Sequence, residues 1–355
     1  MNSEYDTPAR SAYDLKITHD RTIFNRRLKY IIVLFLVILF SPAIVHGQSW
    51  YNPSWSYRKV ITIDFTKVGA GPHTNFPVLI SITDANLQSG ALSTGNDILF
   101  TSSDGITKLA HEIESYTSAS GILVAWVNIP SLSSSANTVI YMYYGNAAAA
   151  SQQNVIGTWN ATFKGVYHLN NDFLDATSNN FDGTNTGTTN VTGRISLGRG
   201  FVRSNGADYI TMTGLMGSPT TFTLSAWASL TTADVFGAEI ISLGDHSLLR
   251  YDGSTTDGTI GAAQYGSGIW NNTGSGNDYA GTGWHYLSYT FDDAGNSQKI
   301  YVDGIQVGST TATETPYYVG AGTNTFIGIH GNGNPDMDFD GTIDEVHVSN
   351  ASRSA

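Results

Sequence analysis

The chain has 355 residues, 17 Lys and Arg against 29 Asp and Glu, a formal net charge of −12 and no cysteine. An acidic surface repels phosphate backbones and argues against nucleic acid as a partner, while the missing thiols exclude disulfides, thiol catalysis and thiolate metal sites. A composition of 41% hydrophobic and 13% charged residues, with 38 glycines and 19 tyrosines, is that of a folded strand-and-turn protein long enough for two domains.

Residues 1–47 read as a secretory signal with a long polar n-region. Arg26-Arg27-Leu28-Lys29 precedes an unbroken apolar run from Tyr30 to Phe40, then Ser41-Pro42 and Val45-His46-Gly47, which sets cleavage before Gln48. The run is shorter than the roughly 18 apolar residues of a spanning helix. The expectation is therefore export by the general secretory route to a secreted or cell-surface location, with no membrane span after cleavage. An uncleaved anchor extended through Ala43 to Val45 is the competing reading.

Residues 48–150 carry short β-branched and aromatic runs separated by Gly, Asn and Ser clusters. Strands are expected at Val60 to Asp64, Phe76 to Ile82, Ile98 to Thr101, Ala110 to Tyr116, Gly121 to Ile129 and Thr138 to Tyr144, which predicts an antiparallel β-sandwich. The start Trp55-Ser56-Tyr57-Arg58-Lys59, the Asn75-Phe76-Pro77-Val78-Leu79-Ile80 segment and the closing Tyr141-Met142-Tyr143-Tyr144-Gly145-Asn146 resemble a secreted domain-of-unknown-function family that commonly precedes lectin-like modules; the resemblance implies no activity. His111-Glu112-Ile113-Glu114 lacks the second histidine of a zinc-protease motif, since position 115 is Ser, and Glu112 and Glu114 read as one solvated strand face.

Residues 151–156 are a polar linker, and 157–355 form a second domain. In Phe222 to Ala228, Leu224, Ala226 and Ala228 alternate with Ser225 and Trp227, and the same period recurs in Gly283 to Phe291. Asp303-Gly304 marks a tight hairpin turn. The ordered series Gly165 to Asn171, Asp175 to Gly183, Gly198 to Met212, Phe222 to Ala228, Gly283 to Phe291, Lys299 to Val307 and Phe339 to Asn350 resembles a concanavalin A-like lectin/glucanase domain of the laminin-G-like jelly-roll type. The fold class expected is all-β, an antiparallel sandwich followed by a concanavalin A-like sandwich. The resemblance also implies that the chain, which stops just after its last strand, is a piece of a longer protein.

Two kinds of site follow. Trp270 stands in what reads as a Gly/Asn-rich loop, where an indole face suits the C–H surface of a sugar; Asn271, Tyr265 and Tyr279 are its candidate partners. The jelly-roll resemblance implies one structural calcium at a loop edge, with Asp175, Asp182, Asp340 and Asp344 as the acids to converge. Asp344 is expected on the same strand face as Val346 and Val348, where a carboxylate needs a metal, a strong donor or a bulge that turns it outward. Asp336-Met337-Asp338-Phe339-Asp340-Gly341 opens like a calcium loop, but position twelve is His347 instead of a bidentate Glu. A glucanase needs two facing carboxylates on a strand, and this acidic run has no Glu and ends in a turn glycine. The expectation is a non-catalytic binding or adhesion protein that recognises a glycan or cell-surface partner, with a structural module of a larger surface protein as the alternative and a glycoside hydrolase behind it.

Overall fold

The structure, a computed structural model, describes residues 49–353 apart from 204–207, 232–236, 253–258, 267, 312–314 and 321. The leader expected at 1–47 lies outside the described residues. Among the described residues no helix is long and apolar enough to cross a membrane.

Seven strands make the first sandwich: β1 (Tyr57–Ile63), β2 (His73–Thr83), β3 (Leu99–Thr101), β4 (Lys108–Leu109), β5 (His111–Thr117), β6 (Ile122–Leu132) and β7 (Thr138–Tyr144). They form a four-stranded sheet, β1-β7-β3-β4, facing a three-stranded one, β2-β6-β5. Alternation drives the assembly. Leu123, Ala125, Val127 and Ile129 of β6 point one way and meet Ile140, Met142 and Tyr144 of β7 in a single apolar cluster.

The second sandwich follows from β8 (Phe163–Tyr167) to β22 (Gly341–Ser349). One sheet contains β11 (Leu197–Phe201), β22, β13 (Thr221–Leu230), β18 (His285–Asp292), β19 (Ser297–Val302) and β20 (Ile305–Thr311), edged by β10 (Thr189–Thr192), with β8 also paired to β22. The other runs β17 (Ile269–Asp278), β16 (Thr259–Gly266), β15 (Ser247–Asp252), β14 (Ala238–Leu243), β21 (Thr325–Ile327), β12 (Tyr209–Met212), β9 (Gly183–Thr186). Phe222, Leu224, Ala226, Ala228 and Leu230 of β13 and Leu287, Tyr289 and Phe291 of β18 face Ile241, Leu249 and Ile260 across the layer. Each such large apolar side chain contributes about 1.5–3 kcal/mol on burial. The Asp303-Gly304 turn forms as expected, with φ of 51° and 80° joining Val302 to Ile305.

The closing strand departs from expectation. β22 pairs with β11 through Gly341 to Ile343 and then with β8 from Val346 to Ser349, and its register against β13 slips between Trp227↔Asp344 and Ser225↔His347. Glu345, at the change of partner, has a φ of 50°. This bulge inserts one residue into the period, so Ile343, Val346 and Val348 share the core while Asp344 does not. The sequence-based placement of Asp344 beside Val346 and Val348 is thereby corrected. A non-glycine residue in the left-handed region costs about 1–3 kcal/mol and persists where its surroundings hold it.

Candidate functional site

The hairpin of β16 and β17 builds an aromatic platform. Ile260 and Ala262 of β16 point into the core, so the intervening positions and Tyr265 face outward. Tyr265 is paired in register with Trp270, and the two rings stand 5.4 Å apart at 58°. They line a groove of about 340 Å³ together with Asp245, Tyr317, Val319 and Gly320. Trp270 is 37% exposed and Tyr317 48%, large fractions for rings of this size. The third wall is tied down by backbone: Tyr317 N–H donates to the Tyr265 carbonyl at 3.1 Å, and Tyr265 N–H to that of His246 at 2.8 Å.

A polar chain runs from the groove into the protein. His330 Nε2 meets Asp245 Oδ1 at 2.8 Å, its Nδ1 meets Glu239 Oε1 at 3.2 Å, and Arg250 Nη1 lies 3.6 Å from that oxygen. Burial opposes a charge on His330, but its bonds to Glu239 and Asp245 outweigh that and raise its pKa. The His330 ring therefore holds Asp245 at the groove wall, and it lies 6.1 Å from that of Trp270. Next to it, His246 is stacked on Tyr318 at 3.8 Å, and burial pushes its pKa down to about 4. Chemically the groove offers apolar ring faces, phenolic hydroxyls and one anchored carboxylate, a set suited to a polyol with a C–H face.

Residues 204–355 match the family model of the concanavalin A-like lectin/glucanases superfamily. The C-terminal sandwich is a concanavalin A-like domain. Residues 94–191 match a domain of unknown function, DUF2341, a span that runs from the first sandwich into the first strands of the second. Among curated proteins no match is found. Among solved structures the chain is similar to domain 4 of AbnA, an extracellular arabinanase of Geobacillus stearothermophilus in complex with arabinotriose, at 20% identity and a TM-score of 0.44, covering 55% of this chain and 96% of that one. It is similar to the binding domain of botulinum neurotoxin serotype D at 14% identity and a TM-score of 0.41, covering 54% and 49%. A sialidase CBM40 of Ruminococcus gnavus bound to α2,3-sialyllactose gives 12% identity and a TM-score of 0.33 over 48% and 94%.

Within the concanavalin A-like domain, Tyr265 and Trp270 come together, but Asn271 and Tyr279 do not join them. Trp270 lies on a strand, β17, which already begins at Ile269, so the loop expected over the whole segment does not reach it. Asn271 then alternates to the opposite face, where its Nδ2 donates to Gln264 Oε1 at 3.3 Å. Tyr279 packs on the apolar core and against His285, 5.1 Å away. Asp245, Tyr317 and His330 went unnoticed because they come from separate loops with no motif to mark them.

Among the described residues the four aspartates do not gather into one cation site, contrary to the expected convergence: Asp175 and Asp182 share a turn, and no group of three possible ligands includes any of the four. Asp175 takes four hydrogen bonds, from Val166 N at 3.2 Å, Thr177 N and Oγ1 at 2.9 Å each, and Phe181 N at 3.0 Å, so it staples its own turn. Exposed Asp182 caps that turn by accepting from Asp175 N at 2.9 Å. Asp340 is half-buried, and its carbonyl accepts from Thr231 N at 2.9 Å. Asp344 is fully buried: Oδ2 accepts from Ile195 N at 2.8 Å, Oδ1 has no hydrogen-bond partner, and burial, with the charge of Glu345 next, pushes its pKa up to about 8. The acidic run before it forms a single 3-10 turn, Pro335–Met337, and buried Asp338 pairs with Arg203 at 2.9 Å.

Proposed function

We propose that this chain is an exported, non-catalytic binding protein whose concanavalin A-like domain takes a glycan in the groove of Trp270, Tyr265, Tyr317 and Asp245. One observation carries the reading: two rings paired across a hairpin stand half-open beside a carboxylate that a buried histidine holds in place. Aromatic faces take the C–H side of a sugar ring, and an oriented carboxylate accepts from its hydroxyls. Among the described residues, Asp245 is the one acid that lines the groove. A glycosidase needs two carboxyl groups, about 5–9.5 Å apart, across the scissile bond, so the lining favours binding over hydrolysis.

A glycan array on the secreted chain, followed by calorimetric titration of the best oligosaccharide, tests this. Trp270→Ala is expected to weaken binding by about tenfold or more, equivalent to about 1.4 kcal/mol. Since the expected calcium ligands are apart and Asp175 is already saturated, affinity is expected to be unchanged by EDTA. An array with no bound glycan, or full affinity in Trp270→Ala, would sink the proposal. Export is checked by mass spectrometry of the secreted chain, expected to begin at Gln48.

A further inference from the structure

A second polar cluster lies where the two sandwiches meet, away from the groove. β5 of the first sandwich supplies Glu112 and Glu114; His168, just after β8, and Glu345, at the bulge of β22, come from the second. Ligand atoms of Glu114, His168 and Glu345 all lie within 4.8 Å of one another. The Glu114 side chain is 1% exposed and its Oε1 has no hydrogen-bond partner. An unpartnered buried carboxylate oxygen at such a cluster needs a cation or a proton.

We propose that Glu114, His168 and Glu345 form a binding site for a divalent transition-metal ion, zinc by donor set, that clamps the two sandwiches together. His168 Nδ1 lies 2.9 Å from Glu345 Oε1 and 3.9 Å from Glu114 Oε2. Zinc bonds of about 2.0–2.2 Å in tetrahedral geometry separate neighbouring ligands by about 3.4 Å, between those two values. Each ligand also has an outer partner of the kind that orients metal ligands. With Nδ1 on the metal, His168 Nε2–H faces Glu112 Oε2 at 3.3 Å, and that oxygen is itself held by Trp159 Nε1 at 2.9 Å. Trp126 Nε1 donates to Glu114 Oε2 at 3.1 Å, and His347 Nε2 meets Glu345 Oε2 at 3.3 Å. Trp126 and Trp159 wall the site, their rings 6.2 and 5.8 Å from His168.

The charged groups agree. Glu112, Glu114 and Glu345 bring three carboxylates to His168 and His347, and a divalent ion bound there would take His168 as a neutral ligand through Nδ1.

The test is a titration of the full chain, stripped with a chelator and dialysed, with zinc against a chromophoric competitor, and with calcium in parallel. One zinc per chain is expected, with a higher unfolding midpoint on zinc and no change on calcium. Glu114→Gln is expected to weaken zinc binding about 100-fold or more, and Glu112→Gln, which touches only the outer shell, about 10–100-fold. Stripped wild type that takes up less than a tenth of an equivalent, or zinc affinity equal in wild type and Glu114→Gln, overturns the proposal. Should Glu114→Gln fail to fold, the wild-type stoichiometry and the Glu112→Gln affinity decide alone. Neither measurement involves the glycan groove, so the two readings stand or fall separately.

Discussion

Asp344 and Glu345 are neighbours with opposite solutions to burial. The bulge turns Glu345 toward His168 and His347, which lower its pKa against the burial that raises it. Asp344 has only backbone donors, and one of its oxygens is left unmatched. Asp344→Asn keeps an oxygen for Ile195 N–H and removes the cost of neutralising, on folding, an acid that is ionised in the unfolded chain. The substitution is expected to leave the unfolding midpoint at neutral pH unchanged or to raise it, as read by differential scanning calorimetry. A loss of about 3–5 kcal/mol, the size typical of breaking a buried ion pair, would instead mean that the carboxylate has a charged partner.

At the scale of elements, most strands were legible because their alternation is clean: Thr138 to Tyr144 was expected and is β7 to the residue. The Trp270 strand reads as a loop in the sequence because Asn271, Asn272, Gly274, Ser275, Gly276 and Asn277 are poor strand formers; pairing with β16 overrides propensity there. Glu112 and Glu114 were read as a solvated face, correct in period but blind to the second sandwich that covers it. The bulge at Glu345 has no local signature, since it arises from the exchange of β11 for β8 along one strand edge. The groove wall likewise depends on a contact distant in sequence. Gly331 lies against the Gly244 carbonyl with no room for a Cβ, and its N–H donates to Ser242 Oγ at 3.0 Å. Gly331→Ala must move the loop that carries His330 away from Asp245. It is expected to cost about 1–3 kcal/mol in urea unfolding, typical of overpacking, and to weaken glycan binding with Trp270 in place. Unchanged affinity would detach that loop from the site.

Across the whole molecule, each sandwich holds a neutral histidine in its interior, and this sets an acid limit on both. His111 in the first is fully buried, its ring nitrogens 3.3 and 3.1 Å from the carbonyls of Leu109 and Ile98, and burial pushes its pKa down to about 4; His246 in the second is also pushed to about 4 by burial. Unfolded, both titrate near 6.5. Below that value the unfolded chain takes up protons that the folded one refuses, so stability falls as pH drops from about 6.5 to about 4 and these two contributions level off beneath it. Over the window each histidine accounts for about 3 kcal/mol, the order set by the fall from about 6.5 in the unfolded chain to about 4 in the folded one. His330 has the opposite sign: its raised pKa adds stability at low pH that is lost as pH rises through the folded value, which places its effect at the alkaline side of the same window. The contribution of His111 is isolated by His111→Asn, which has no proton to gain. Its stability at pH 7 is expected to be lower than that of wild type, because a packed ring is replaced. Between pH 7 and 4.5, however, urea unfolding of the variant is expected to lose about 2–3 kcal/mol less than wild type. Parallel pH profiles for the two proteins would show that the His111 ring is protonated in the folded chain and shares its charge with the two carbonyls.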